Sequence, residues 1–469
     1  MPDESRPIAD YADAVRFLEQ GINYEKTRQW KYNTRYLNLG RMERLLEAIG
    51  NPHRQYRALH VAGTKGKGST AGAIAHLLRT MGCRTGLYSK PHLVTPRERI
   101  RVDGAKISEG DFVRSTATMQ PHVERKRQEE AGADRAPTYF EMLTALAFDH
   151  FARSAVDWAV VEVGLGGRLD STNVLQPVCC AITTIGFDHT DKLGETAEAI
   201  AREKAGILKA GVPVVIGRQQ YPEALATLRR FAEERGCPRR EVGRELNVLD
   251  PRPLVAPPDN PHASIGWRFS LKTPDGEYSD LRTPLLGAHQ LGNLATAIGV
   301  VQMAGRREGT DLRSEHVQST VREFRMPARV EVLQRAPALV VDVAHTVESV
   351  QALLDALHLH LPDRPLRLVF ACSAGKNVTG MLEVLKPHCA SLVAAEAKLP
   401  RALPAEEVVR AARELGYGEG VRAVPDAVEA VQSELQEAGP DEIVCITGSF
   451  LTTGEVRGWW AGEHPEVGD

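Results

Sequence analysis

The stretch Arg57-Ala58-Leu59-His60-Val61-Ala62-Gly63-Thr64-Lys65-Gly66-Lys67-Gly68-Ser69-Thr70 is a short apolar run that stops at a glycine-rich turn. It opens directly into the helical pattern Ala71-Gly72-Ala73-Ile74-Ala75-His76-Leu77-Leu78. Strand, glycine turn and helix form the layout of a phosphate cradle. The glycines let backbone N–H groups around Gly63, Thr64, Gly66 and Gly68 converge on an anion, and the helix N-terminus adds partial positive charge. Lys67 would supply a point charge to the β- and γ-phosphates, and Ser69 or Thr70 a hydroxyl for Mg²⁺. The strict pattern G-x-x-x-x-G-K-[ST] nevertheless fails twice. Val61 stands where its first glycine belongs, and Gly68 separates Lys67 from Ser69. From this stretch alone, a glycine-rich turn without a ligand stays open.

Working outward, apolar strands alternate with helices. Thr85–Ser89, Trp158–Val163, Cys179–Ile185 and Val212–Ile216 read as strands, with helices over Phe140–Phe151 and Ala197–Leu208. Such alternation predicts a mostly parallel sheet covered on both faces. Before it, residues 7–50 read as helices, with Asp10 as an N-cap and a Gly50 stop. Residues 248–286 differ, being proline-rich with a hairpin around Thr273-Pro274-Asp275-Gly276, and the helical run Asn293–Met303 resumes the first domain. A boundary falls near Arg325-Met326-Pro327. Beyond it strands at Leu339–Val343, Leu366–Cys372, Ser391–Ala395 and Glu442–Thr447 alternate with four helices. The expected fold is α/β: a P-loop-type sheet domain over 1–324, with the insert at 248–286, and a smaller doubly wound, Rossmann-like domain over 325–469. No glycine fingerprint for a dinucleotide follows Asp342.

Composition narrows the function. The chain has 469 residues, 42% hydrophobic and 25% charged, with a net charge of −3, which gives no reason to expect a nucleic acid or an anionic membrane as partner. No apolar run approaches the ~20 residues of a membrane span. The polar start Met1-Pro2-Asp3-Glu4-Ser5-Arg6 lacks the core of a secretion signal. The seven cysteines avoid any CxxC spacing, and four lie in apolar strand-like runs, so buried free thiols and a cytoplasmic location are expected.

Four stretches carry polar groups beside apolar elements. Glu162 is an acid inside an apolar strand, costly to bury unless paired or bound to a cation. It leads into Gly164-Leu165-Gly166-Gly167-Arg168, where Arg168 could hold an anionic group. Asp188-His189 ends a second strand. Lys204 lies on the apolar side of a helix with Ile200 and Ile207, where a snorkelling lysine is the bland reading. The loop Ser89-Lys90-Pro91-His92-Leu93-Val94-Thr95-Pro96-Arg97-Glu98-Arg99 offers Arg97 and Arg99 for carboxylate binding.

Taken in order, His60–Thr70, Ser89–Ile100, Tyr139–Phe148, Glu162–Val174, Gly186–Gly194, Glu203–Leu208 and Gly287–Asn293 closely resemble the folylpolyglutamate synthase/dihydrofolate synthase family of the Mur ligase superfamily. The resemblance runs from about Tyr11 to about Phe450. It implies an ATP-dependent amide ligase, monomeric, with small-molecule substrates: L-glutamate, ATP and a pterin or folate carboxylate. It implies that Lys67 contacts the phosphates, that Ser69 and Glu162 hold one Mg²⁺ and His189 a second, and that Lys204 is carbamylated into an oxygen ligand. It further implies Asn293 at the adenine, Arg329 at the phosphates, and Asp342 and His345 closing on the nucleotide from the second domain. A monovalent cation is a further candidate.

The chain also departs from the family pattern. Asp342-Val343-Ala344-His345-Thr346 stands for Asp-Gly-Ala-His-Asn, Lys90 replaces a usual serine, Asn377 stands for an aspartate, and residues 29–36 are extra. Three readings follow: a folate-type ligase, a ligase of the same mechanism with another carboxylate acceptor, and a non-catalytic nucleotide-binding protein.

Overall fold

The computed structural model describes residues 7–24, 32–34, 36–129, 136–398, 402–418 and 420–464. Met1–Arg6 and half of the extra segment, residues 29–31 and Arg35, lie outside them. The strands in chain order are β1 Arg57–Ala62, β2 Thr85–Tyr88, β3 Ile100–Val102, β4 Ala105–Lys106, β5 Trp158–Glu162, β6 Cys179–Ile182, β7 Val214–Ile216 and β8 Arg239–Glu241. They form one sheet in the order β4-β3-β2-β5-β1-β6-β7-β8. Its members from β2 to β8 run parallel, and only β3 and β4 are antiparallel additions at one edge.

The order has a direct consequence for the glycine loop. β1 is central, with Val61 paired to Glu162 of β5 on one side and Ala62 to Ile182 of β6 on the other. The loop after β1, the acid ending β5 and the segment after β6 therefore emerge side by side at the carboxyl edge. Both faces are covered. Leu59 and Val61 pack under the helices Lys67–Thr80 and His289–Glu308, whereas Ala58 faces the opposite layer with Phe112, Met142 and Leu146. Side chains alternating across a doubly covered strand explain why β1 reads as an uninterrupted apolar run.

The 248–286 region carries more than a hairpin. β9 (Asn247–Leu254), β10 (Gly266–Thr273) and β11 (Gly276–Thr283) form a three-stranded antiparallel sheet in the order β11-β10-β9. This sheet also reaches forward in the chain. His360 Nδ1–H donates to Leu254 O at 2.9 Å, Ala256 N–H donates to His360 O at 2.9 Å, and Arg364 donates to Ala256 O at 3.0 Å.

The last sheet comprises β12 (Glu331–Arg335), β13 (Ala338–Val341), β14 (Leu366–Phe370), β15 (Cys389–Ala394), β16 (Arg422–Ala423) and β17 (Ile443–Thr447), ordered β12-β13-β17-β14-β15-β16. All neighbours are parallel except β12 with β13. The helix Phe450–Glu463 from this half packs on the Ser89–Arg99 loop, because a Cβ at Gly454 would stand 2.7 Å from Leu93 O. Elements that the sequence reading left unassigned include β3, β4, β8, β9, β12 and β16 and the helices Glu109–Glu129, Thr190–Leu193, Pro222–Glu234, Ser314–Glu323 and Phe450–Glu463. β3, β4, β8 and β16 are two or three residues long, β9 carries Pro251 and Pro253, β12 mixes charged and polar residues with apolar ones, and the helix Glu109–Glu129 contains Pro121.

Within the helical layer, Arg41 and Glu141 form a buried bidentate pair, Nε–Oε2 at 2.6 Å and Nη2–Oε1 at 2.8 Å, at 5% and 6% side-chain exposure. Glu141 also accepts from Thr138 N–H to close a capping box. Removing one partner strands the other charge out of water. Arg41→Ala is expected to lower the unfolding free energy by about 3–5 kcal/mol, read as an earlier urea midpoint; a midpoint equal to wild type would show the pair to be neutral.

Candidate functional site

The glycine loop is shaped by what presses on it. Gly63 has φ 152° and Gly66 φ 83°, both awkward for a side chain. A Cβ at Gly63 would collide with Thr183 Oγ1, and one at Gly66 with Asn293 Oδ1. Thr64 and Lys65 N–H groups donate to Thr184 O at 2.9 and 3.1 Å, which ties the loop to the end of β6. The helix Lys67–Thr80 then starts with no side-chain cap, leaving an N-terminus suited to an anion. Lys67 Nζ reaches back to Thr64 O at 3.3 Å. Ser69 and Thr70 are buried, and Thr70 Oγ1 has no hydrogen-bond partner among the described residues. Asn293, whose amide also donates to Gln290 at 2.9 Å, lies against the loop at Gly66.

Glu162 ends β5 at 3% exposure, its Oε2 3.5 Å from where a Cβ on Gly68 would stand. It accepts from the Lys90 backbone N–H at 3.1 Å. Burial raises its carboxyl above the usual range, while Lys67, Lys90 and Arg329 pull it back down. Nearby Asp170 is held rigidly: Oδ2 accepts from Leu165 N–H at 2.9 Å, and Oδ1 from Thr172 N–H at 3.1 Å and Thr172 Oγ1–H at 2.5 Å. Because the Thr172 hydroxyl donates to Asp170, it accepts from His60 Nε2–H, 2.9 Å away.

Lys204 is 4% exposed, and its ammonium makes no hydrogen bond or ion pair with the described residues. Burial drives its pKa well below the ordinary value, Lys67 adds to the effect, and Asp188 and Asp170 oppose it. Among the described residues, no group of three or more His, Cys, Asp or Glu forms a ready metal cage. The site offers a cation one buried acid and hydroxyls, a donor set that suits a hard ion sharing its remaining positions with phosphate and water.

The second half of the chain closes on this edge. Arg329 feels the charges of both Asp342 and Glu162, and its guanidinium lies 5.3 Å from the Phe450 ring centroid. It is presented by a strained backbone, since Ala328 and Val330 on either side have φ 53° and 49°, and a β-branched residue tolerates this poorly. Asp342 secures that turn, accepting from Val330 N–H at 2.8 Å and from Ala344 N–H at 2.7 Å. One oxygen thus serves the backbone that carries Arg329, and the other its own loop at Ala344. His345 Nδ1–H donates to Val343 O at 2.9 Å, and burial pushes its pKa down to about 4. Val343 is not among the positive-φ residues, so the turn needs no glycine there. Thr346 and Asn377 cap the helices Val347–His360 and Val378–Leu385, accepting from Ser349 and Gly380 N–H.

Across the cleft, burial works against the Asp188 charge, but His189, Lys65, Lys376 and His345 together hold its carboxyl below the ordinary range. His189 is more exposed, with φ 52° at the start of the turn Thr190–Leu193, and burial followed by Lys67, Lys376 and Lys204 lowers its pKa despite the opposing Asp188. The structure thus joins Lys67, Glu162, His189, Lys204, Arg329 and His345 in one charged edge. It adds Lys65, Asp170, Asp188, Lys376 and Phe450, which the sequence reading did not assign roles. Asp188 was legible as the neighbour of His189. Lys65 and Lys376 gave no signal, because only the apposition of the two halves brings them together.

Other expected binders are spent elsewhere. Arg168 pairs with Glu203 at 2.9 Å rather than facing the cleft. Arg97 donates to Ile107 O and to Glu109, and Arg99 to His92 Nδ1, so both brace their own loop.

The Mur ligase middle domain family matches residues 61–301, and the Mur ligase, glutamate ligase domain family matches residues 328–450. The dihydrofolate synthase/folylpolyglutamate synthase of Bacillus subtilis (strain 168) is 34% identical over 92% of this chain and 98% of its own. The chain belongs to the folylpolyglutamate synthase/dihydrofolate synthase family. With that family it is an ATP-dependent ligase. The crystal structure of Mycobacterium tuberculosis folylpolyglutamate synthase complexed with ADP and AMPPCP aligns at TM-score 0.83 and 32% identity, covering 97% of this chain and 99% of that one. A solved folylpolyglutamate synthase complex with AMPPCP and folate aligns at TM-score 0.79 and 31% identity, covering 96% and 99%. Among the described residues, no helix of this family member is long and apolar enough to cross a membrane.

The His60 chain gives the site a pH signature. Burial lowers the His60 pKa from 6.5 to about 3. Between these values the unfolded chain binds more protons than the folded one, so His60 contributes stability near neutral pH that is lost as pH falls below 6.5. Wild type is expected to show a urea midpoint that drops from pH 7 to pH 4, and His60→Gln a shallower drop over the same range. Parallel profiles would remove His60 from the acid response.

Proposed function

We propose that this enzyme adds L-glutamate to dihydropteroate, to the γ-carboxyl of reduced folates, or to both, through an acyl phosphate. One observation carries the reading: in a chain of this family, the Lys67 loop, the buried acid Glu162 and the buried lysine Lys204 share one edge with Arg329 from the other half.

A carboxylate is a poor electrophile, being anionic and without a leaving group. Its oxygen attacks the γ-phosphorus of ATP, the bond to the β-phosphate oxygen breaks, and ADP departs with the electron pair. The amine of glutamate then attacks the acyl carbon, phosphate leaves, and the nitrogen loses its proton. The protein's part is positional and electrostatic. Lys67 and the uncapped helix hold the phosphates, and Arg329 screens the transferring group from the opposite side. Asn293 supports the loop on the adenine side, and Asp342 fixes the turn that delivers Arg329. His345 lies beside Lys376 where the two halves meet. Closure of the halves keeps water from the acyl phosphate.

Ser69 and Glu162 would hold one Mg²⁺ and His189 with Lys204 a second; such ions neutralise charge on phosphate oxygens. For Lys204 this requires carbamylation, in which the neutral amine bonds to CO₂ and loses a proton. Burial depresses its pKa well below the ordinary lysine value, which favours the neutral amine that the carbamate needs. Location in the cytoplasm, action as a monomer and use of a monovalent cation belong to the same proposal. A second reading, another carboxylate as acceptor, is favoured by one observation: Lys90 puts a cation beside Glu162 where the family usually has serine.

Mass spectrometry of products formed with ATP, Mg²⁺ and L-glutamate tests the reading, with dihydropteroate and tetrahydrofolate in separate reactions. A one-glutamate gain is expected with at least one acceptor; no gain with either overturns it. Lys67→Ala is expected to lower kcat by on the order of 10²–10³-fold with unchanged thermal unfolding. Lys204→Ala is expected to lose activity, with partial rescue by a short added carboxylate. Wild type incubated with ¹³C-bicarbonate is expected to give a carbamate carbon resonance that Lys204→Ala lacks; its absence from wild type overturns the carbamylation.

A further inference from the structure

The loop after β2 carries three cations, and the structure separates them. Arg97 and Arg99 brace the loop itself, on Ile107 O, Glu109 and His92. Lys90 turns the other way. Its ammonium lies 4.0 Å from the Phe140 ring centroid, and Phe140 in turn stacks on Tyr88 at the end of β2. It crosses the backbone after β5 so closely that a Cβ on Gly164 would collide with Nζ, while the same Cβ would stand 2.8 Å from Asp170 Oδ2. An aromatic face, a glycine without a side chain and a rigid carboxylate together make a built seat for this one cation. The seat is anchored from both ends. The Lys90 N–H holds Glu162 Oε2, and the loop is clamped where Leu93 meets Gly454.

The position of the seat relative to Glu162 gives it meaning. Glu162 faces Gly68 and the phosphate loop on one side and the Lys90 backbone on the other. Lys90 Nζ lies between the Phe140 ring and the Gly164 backbone that follows β5, close enough to act on the Glu162 charge. If the phosphates occupy the glycine loop and Arg329 closes the opposite side, the remaining approach to Glu162 is on the side of Lys90. Its reacting group is a carboxylate, and the group it must reach is a phosphate. Two anions have to meet beside two buried acids, Glu162 and Asp170.

We propose that Lys90 is a specificity-determining residue that binds the reacting carboxylate of the acceptor and steers it past Glu162 onto the γ-phosphate. This rests on the ligase reading above. Lys90 exchanges no proton or electron pair; its contribution is charge placed where the two anions converge.

The test uses the full-length protein, with Lys90→Met removing the charge and Lys90→Arg retaining it. Acceptor binding is titrated in the presence of Mg²⁺ and AMPPCP, so that no chemistry occurs, with dihydropteroate and with its carboxamide analogue. ADP affinity and the Mg²⁺ concentration for half-maximal turnover are measured alongside. Lys90→Met is expected to weaken binding of the acid, and to raise its KM, by about 10–100-fold, the loss of one charge-assisted contact. Carboxamide binding, ADP affinity and Mg²⁺ half-saturation are expected to stay within about twofold, and Lys90→Arg to recover most of the acid affinity. Equal binding of the acid by wild type and Lys90→Met overturns the proposal. So does a shift confined to Mg²⁺ half-saturation or ADP affinity, which would make Lys90 a counter-charge for Glu162 alone. Wild-type glutamate transfer, read in the same preparations, judges the ligase reading separately from Lys90.

Discussion

The structure depends on charge kept out of water at the carboxyl edge of a parallel sheet. Glu162, Asp170 and Lys204 are all nearly inaccessible, and each alone would be costly to bury. They are tolerable because they lie together, with Lys67, Lys90 and Arg329 acting on Glu162, and Asp170 and Asp188 acting on Lys204. The central place of β1 makes this possible, since its two neighbours deliver the acid of β5 and the Thr183–His189 segment to either side of the glycine loop. Backbone polarity joins in: the uncapped helix start and the Thr184 carbonyl fix the loop that anions would meet.

Cleft architecture extends that balance across two halves. The strained turn 328–330 presents Arg329, and Asp342 holds the strain in place by accepting from Val330 N–H while its other oxygen is anchored on Ala344 N–H. Backbone strain of this kind persists where its surroundings over-determine it, and such places are commonly functional. A three-stranded sheet reaching to His360 and Arg364, and the contact of Leu93 with Gly454, tie the halves at points away from the charged edge. Reading Asp342 as a ligand contact alone misses its mechanical part.

Much of the core architecture was legible from the chain. Apolar runs such as Trp158–Val163 and Cys179–Ile185 announce doubly covered parallel strands, and Asp10 announces the first helix through its capping side chain. The edge elements were not. β3, β4 and β8 are two or three residues long and charged, so they carry no apolar signal and owe their existence to pairing with a neighbour. Glu162, Lys204 and Asp188-His189 stood out as polar residues against apolar surroundings, whereas Lys65 and Lys376 did not, being lysines in polar loops. Arg97, Arg99 and Arg168 looked like anion binders and turned out to brace their own neighbourhoods.

By itself the sequence determined the alternation of apolar strands with helices, the glycine turn that must precede a helix, and membership of a ligase family through seven blocks in series. These are local or serial properties: periodicity, backbone permissiveness and adjacency along the chain. Only the tertiary structure decided which charges meet. Lys90 and Asp170 are far apart in sequence yet share the space left by Gly164, and Arg329 reaches Glu162 only because the second sheet folds back over the first. Electrostatic interaction falls with distance in space and not with separation along the chain.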